Sequence, residues 1–236
     1  MKTGKIILII ILSIQFFMSK GQENKESIKK TKHELSIVVD DIFTKSSYPI
    51  IYPSSYSSYY IDYYTVDSNT PKIGLGYKYH FSKSAIRTKI SVGHRNNTTD
   101  DKQDQIKFNA SSFNVKSLIG YEFHKDISKT QIFYGVDLFI DYYIVKNETT
   151  NSAGFTINTL SSKYKNTGFG ISPLIGVKYF FNPIISISTE IKLNIESYSG
   201  ESTHEDSDDP DIEKSEISGI NTNFGPLGQI SLNIHF

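Results

Sequence analysis

Six histidines carry most of the chemistry open to this chain near neutral pH: His33, His80, His94, His124, His204 and His235. An imidazole can move a proton or ligate a metal without leaving that range. Their spacing yields neither an HExxH helix nor a close pair, so the sequence contains no recognisable metal motif. Each therefore reads first as a strand-end or loop residue. His80 and His235 share a parity that points them inward, as hydrogen-bonding groups. Cysteine is absent, which excludes disulfides, thiolate metal sites, thiol nucleophiles and an N-terminal lipid-modified Cys. The carboxylate run HEDSDDPDIE (His204–Glu213) could offer oxygen ligands to Ca²⁺, but its spacing is not that of an EF-hand loop. It reads as a solvated acidic loop. No cofactor, catalytic residue or metal ligand is expected.

Tyrosine is the other concentrated resource. The stretch YPIIYPSSYSSYYIDYYTVD carries seven tyrosines, Tyr48, Tyr52, Tyr56, Tyr59, Tyr60, Tyr63 and Tyr64, among many serines. Tyr gives large amphipathic contact area at low entropic cost. The segment reads either as a ligand- or host-contacting loop or as aromatic packing around extended strand ends.

What positions these residues is a recurrent period of two. No segment after residue 32 shows sustained helical spacing, whereas large apolar residues alternate with small or polar ones in eight segments. The segments are His33–Phe43, Lys72–Phe81, Ala85–Arg95, Phe108–Phe123, Thr130–Val145, Lys165–Phe181, Ile184–Tyr198 and Phe224–Phe236. The fifth is the clearest on its apolar side, with Ile132, Tyr134, Val136, Leu138, Ile140, Tyr142 and Ile144 on one parity. The links at 82–84, 124–129 and 182–183 are short, and those at 44–71, 96–107, 146–164 and 199–223 are long. Short and long alternate strictly. That pattern predicts an all-β, eight-stranded antiparallel up-and-down transmembrane β-barrel with tight turns at one end and long loops at the other.

The polar parity decides which face looks outward. Each apolar stripe has about the 9–11 residues a tilted strand needs to cross hydrocarbon. Glycines at 74, 76, 93, 120, 135, 170 and 176 all fall on the polar parity, as a crowded narrow interior requires. Tyr79 with Phe81, Tyr121 with Phe123, Tyr179 with Phe181, and the terminal Phe236 gather beside the short turns as one aromatic girdle. A soluble lipocalin-like barrel would invert these faces. An eight-stranded barrel is filled by side chains. Its predicted lumen carries Glu34, Asp40, Glu122, Asp137, Asp141, Glu190 and Glu196 against Lys78, Arg87, Lys89, Lys116, Lys178 and Lys192. Charges held there must pair or meet water, so a plugged lumen is expected and an open diffusion pore is not.

The N-terminus reads as a secretory signal. Lys2 and Lys5 precede an apolar run from Ile6 to Met18, and small residues follow at Ser19 and Gly21. The run is too short for a comfortable helical span. Residues 1–21 are expected to be removed, 22–32 to form a flexible lead and 33–236 to be the barrel domain. The removed part holds three of the 25 basic residues and no acid, leaving 22 basic against 25 acidic and a net charge of −3. That balance gives no reason to expect a nucleic-acid partner. The mean hydropathy of −0.31 excludes a helical membrane bundle.

The segment SPLIGVKYFFNPIISISTEIKLNI (Ser172–Ile195) and the terminal ISLNIHF (Ile230–Phe236) resemble small outer-membrane β-barrels of Bacteroidetes-type bacteria, similar in kind to OmpA/OmpX-like eight-stranded barrels. The likeness covers nearly the whole mature chain as a pattern of alternation and turns. It implies a bacterial outer-membrane location, with loops extracellular and both termini periplasmic, in contact with outer-membrane lipid. It also implies that Phe236 acts as the assembly signal read by the barrel-assembly machinery. A peptidoglycan-binding domain beyond the last strand is not expected, and neither is cell-wall anchoring. Some outer-membrane barrels modify lipid A with His/Ser groups at the rim, and His94 with its nearby serines is a weak echo of them. The expectation is a non-enzymatic envelope protein. An adhesin-like protein that binds an unidentified extracellular ligand through residues 44–71 is the alternative, with a lipid A-modifying enzyme or a small channel behind it.

Overall fold

A strand whose side chains alternate between two chemistries serves a sheet whose two faces meet different surroundings. The computed structural model describes residues 31–40, 71–101, 106–151, 158–207 and 209–236, and in it these strands close on themselves. They are β1 (His33–Asp40), β2 (Lys72–His80), β3 (Ser84–Asp101), β4 (Ile106–Ile127), β5 (Thr130–Asn151), β6 (Asn158–Phe180), β7 (Ile185–Asp206) and β8 (Asp209–His235). Each pairs antiparallel with the next, and β8 pairs with β1, giving a closed up-and-down barrel. Closure leaves no edge among the strand segments around the girdle end.

The terminal strand is tied at its last residue. Leu35 faces Ile234 and Val39 faces Ile230 across the seam. His33 and Phe236 exchange two backbone hydrogen bonds, of 3.1 and 3.0 Å, and their rings stack with centroids 5.6 Å apart. The β4–β5 turn is tight: Ile127 pairs with Thr130, and Ser128 takes a left-handed backbone with φ 54°.

Away from the short turns the structure departs from the sequence expectation. Three of the four long links are largely strand. β3 and β4 remain paired to Asp101 and Ile106, β5 and β6 to Asn151 and Asn158, and β7 and β8 to Asp206 and Asp209. These segments are rich in Ser, Thr, Asn and charge and lack an apolar face. Alternation of hydropathy reports burial of one apolar face, so a ladder that buries only scattered residues, such as Asn147 and Tyr164, is nearly silent in the sequence. The acidic run thus occupies a hairpin tip, where His204 pairs with Glu213. The remaining long link, with Tyr48, Tyr52, Tyr56, Tyr59, Tyr60, Tyr63 and Tyr64, lies outside the described residues, as do the signal segment and the 22–30 lead.

Two prolines mark irregularities in the wall. Pro173 lacks the N–H a ladder needs, and the β6–β7 pairing skips from Ile171 to Leu174 without losing register. The β7–β8 pairing shifts between Glu190 and Lys192, where Pro226 lies on the bulged strand.

Candidate functional site

The outward parity is apolar around the whole ring. Ile73 is 68% exposed and Ile140 56%, values no soluble surface sustains as a continuous belt. The aromatic girdle closes the short-turn end of the belt. Tyr79 meets Phe81 edge-on at 5.2 Å, Tyr121 meets Phe123 at 5.1 Å, and Phe123 stacks on Tyr134 at 5.6 Å. His33 joins the girdle rather than the lumen, accepting or donating a 2.8 Å hydrogen bond with the Tyr77 hydroxyl.

The inward parity is the reverse. Glu34, Asp40, Lys78, Arg87, Lys89, Lys116, Glu122, Asp137, Asp141, Lys178, Glu190 and Lys192 all lie buried inside the barrel, with Glu196. Lys72 completes the set, making seven buried acids and seven buried Lys or Arg among the described residues. An equal count lets each charge face an opposite one, which a buried ion needs. The sequence carries the signal for Lys72, which shares the parity of Gly74, Lys78 and His80 on its strand, although the predicted lumen set leaves it out.

The network has layers. Arg87 is the middle hub. Its Nη1 and Nη2 donate to the two Glu190 oxygens at 2.8 and 2.9 Å, Nη1 also reaches Glu122 at 3.0 Å, and Nε lies 3.0 Å from Asp137. The guanidinium fork suits such bidentate contact, where a lysine would not. Towards the long hairpins, Lys89 pairs with Asp40 and donates to Gln229 at 2.7 Å, while Lys192 reaches Glu190 at 2.7 Å. Lys72 meets Asp141 at 3.4 Å, and Asn114 donates to the same carboxylate. Towards the short turns, Glu34 accepts from Lys178 and from His80, and Glu122 from Lys78 and His124.

Large apolar groups share this interior, which the sequence reading did not anticipate. Phe133 and Phe139 are fully buried on the polar parity of β5, and Leu118, Leu174, Val38 and Phe180 also point inward. Gly176 stands directly across from Phe133, and Gly170 across from Phe139. A Cβ at either glycine would overlap the opposing ring. Lys78 lies over the Phe133 ring at 4.7 Å and Lys116 over Phe139 at 4.0 Å, so the rings also face cations. The available signal was a glycine at each cross-strand position, but register is needed to read it.

Beyond the belt, Tyr143, Val145 and Tyr164 pack together inside the hairpin end, with Ile217 against them. Burial pushes the Tyr164 hydroxyl up to about 12, aided by Tyr198 and Glu196. His94 is exposed on the outward parity, with Phe113 as its cross-strand neighbour. The structure brings it to no catalytic partner among the described residues. His204 sits near the β7–β8 tip, away from the other histidines along the chain's strands. His80, His124 and His235 converge at the short-turn end of the lumen, with ring centroids 5.1 Å (His80 to His124) and 6.3 Å (His80 to His235) apart.

No helix among the described residues is long and apolar enough to cross a membrane, which has no bearing on strands. No protein-family model matches the chain, and no curated protein matches it. Among solved structures, the chain is similar to a major outer membrane protein from Thermus thermophilus, with a TM-score of 0.41 and 10% identity over 86% of this chain and 99% of that one.

Proposed function

We propose that this chain is an integral outer-membrane protein whose barrel spans the bilayer and whose lumen is sealed. The observation that supports it best is the inversion of the two faces: a continuous apolar belt with an aromatic girdle outside, and paired charges inside. Hydrocarbon stabilises the first, and only a closed interior stabilises the second. In this reading the girdle marks the periplasmic interface, the termini are periplasmic, and the β3–β8 hairpins stand outside the cell.

The role that follows is non-enzymatic: an envelope element that displays extended hairpins. Heat modifiability tests the barrel, because a folded one migrates differently unboiled. Recovery in the soluble periplasmic fraction would refute the membrane placement. Planar-bilayer recording tests the seal, and a stable large conductance would refute it. Lipid A from expressing and non-expressing cells should have the same mass profile, and a changed profile would refute the absence of enzymatic activity.

A second reading rests on the tyrosine-rich segment, whose composition resembles a contact surface. There the chain is an adhesin-like binder. Deleting residues 54–65 should then abolish binding of whole cells to a host or matrix surface while heat modifiability persists. Unchanged binding removes this reading.

A further inference from the structure

We propose that the short-turn end of the lumen is a binding site for one divalent transition-metal ion, held by His80, His235 and Glu34. One ligand atom from each of these buried residues lies within 4.8 Å of the others. An ion with bonds of about 2 Å needs tetrahedral ligand atoms about 3.4 Å apart. Closing on it therefore takes side-chain shifts on the order of 1 Å, with no change in the strands.

Several details favour an ion over a merely structural cluster. The Glu34 oxygen facing both histidines is Oε2, while its Oε1 is buried without a hydrogen-bond partner, so the carboxylate keeps one free acceptor beside the site; Nδ1 of His124, whose ring lies 5.1 Å from that of His80, is likewise unpartnered. His235 is oriented from behind: its Nε2 is hydrogen-bonded to the Ser186 hydroxyl at 2.7 Å, which leaves Nδ1 facing Glu34 at 3.6 Å. A ligating histidine is held by its other nitrogen in this way. His235 and Glu34 are direct cross-strand partners, and His80 comes from the next strand along, so rigid elements carry all three.

The donor set selects the kind of metal. Lys178 donates to Glu34 Oε2 at 2.5 Å, Lys78 lies 3.9 Å from Oε1, and Glu122 faces Lys78 and His124 from the other side. The two ammonium groups disfavour every divalent ion alike, but a single carboxylate cannot give Ca²⁺ or Mg²⁺ the several hard oxygens they bind through. Imidazole nitrogens suit Zn²⁺, Cu²⁺, Ni²⁺ or Co²⁺. The three imidazoles keep 6–8% of their surface exposed while Glu34 has none, so an ion reaches the histidines first, from the short-turn end. The inference holds for the barrel whatever surrounds its outer wall.

The test uses the mature chain without a polyhistidine tag, refolded in detergent and shown to be heat-modifiable. Titration with Co²⁺ should give the visible bands of a low-coordinate site, saturating at one equivalent, and Zn²⁺ should bleach them. H80Q/H235N should weaken binding by at least about tenfold, and the surface variant H94Q should bind as the parent does. A Co²⁺ spectrum identical to the aquo ion, or H80Q/H235N binding as tightly as the parent, overturns the proposal. Should the double variant not refold, Cu²⁺ electron paramagnetic resonance on the parent decides. Nitrogen couplings from two imidazoles support the site, and their absence overturns it.

Discussion

Phe133 and Gly176 occupy directly opposed positions on β5 and β6, and the ring fills the space that a Cβ at Gly176 would take. Phe139 and Gly170 repeat the arrangement further along the same pair of strands. A narrow barrel has no room for two side chains at such a level, so one strand supplies the volume and its neighbour the vacancy. Gly176→Ala should destabilise the barrel by about 1–3 kcal/mol through overpacking. Phe133→Leu should relieve part of that cost, with a coupling of about 0.5–3 kcal/mol in a double-mutant cycle. The relief is partial because the Thr189 carbonyl also crowds the site. Urea unfolding in detergent or vesicles would measure it, and strictly additive effects would dismiss the pairing.

Arg87 contacts three carboxylates from three strands, Glu122, Asp137 and Glu190. Its removal leaves buried anions without their shared cation. Arg87→Met should cost about 3–5 kcal/mol. Arg87→Lys keeps the charge but loses the fork, and should fall between parent and Met variant in unfolding midpoint. Equal midpoints for Arg87→Met and the parent would show that the hub adds nothing to stability.

Leu138 lies mid-belt on β5 with its side chain 47% exposed. If lipid covers that face, Leu138→Arg should destabilise the inserted barrel by about 2–4 kcal/mol. If water covers it, the change should be close to neutral. Unfolding from vesicles separates the two outcomes.

Phe236 adds girdle contact through the His33 stack but fills no interior space. Its deletion should slow membrane assembly in cells while an already inserted barrel keeps most of its stability. Comparing insertion kinetics with the unfolding midpoint tests this. An unchanged rate of assembly would argue against a signalling role for the terminal aromatic.

The sequence by itself determined the barrel, because a period of two with a large apolar face is legible wherever one face is buried. Strand number, the alternation of tight and long connections, the girdle and the parity of Glu34, Arg87 or Lys178 all followed from it. It did not determine how far β3–β8 continue past the belt, since the Ser- and Asn-rich ladders there bury only scattered inward residues, such as Asn147 and Tyr164, and leave no sustained apolar period. Tertiary structure alone decided who meets whom inside. Phe133 and Phe139 look like interruptions of a polar stripe until register sets a glycine opposite each. His80, His124 and His235 sit 44 to 155 positions apart in the chain; the up-and-down order puts them at the short-turn end, but only closure of β8 onto β1 brings the His235 ring beside that of His80. Alternation is a property of one strand and is written locally, whereas register and closure are relations between strands, which no single stretch of sequence carries.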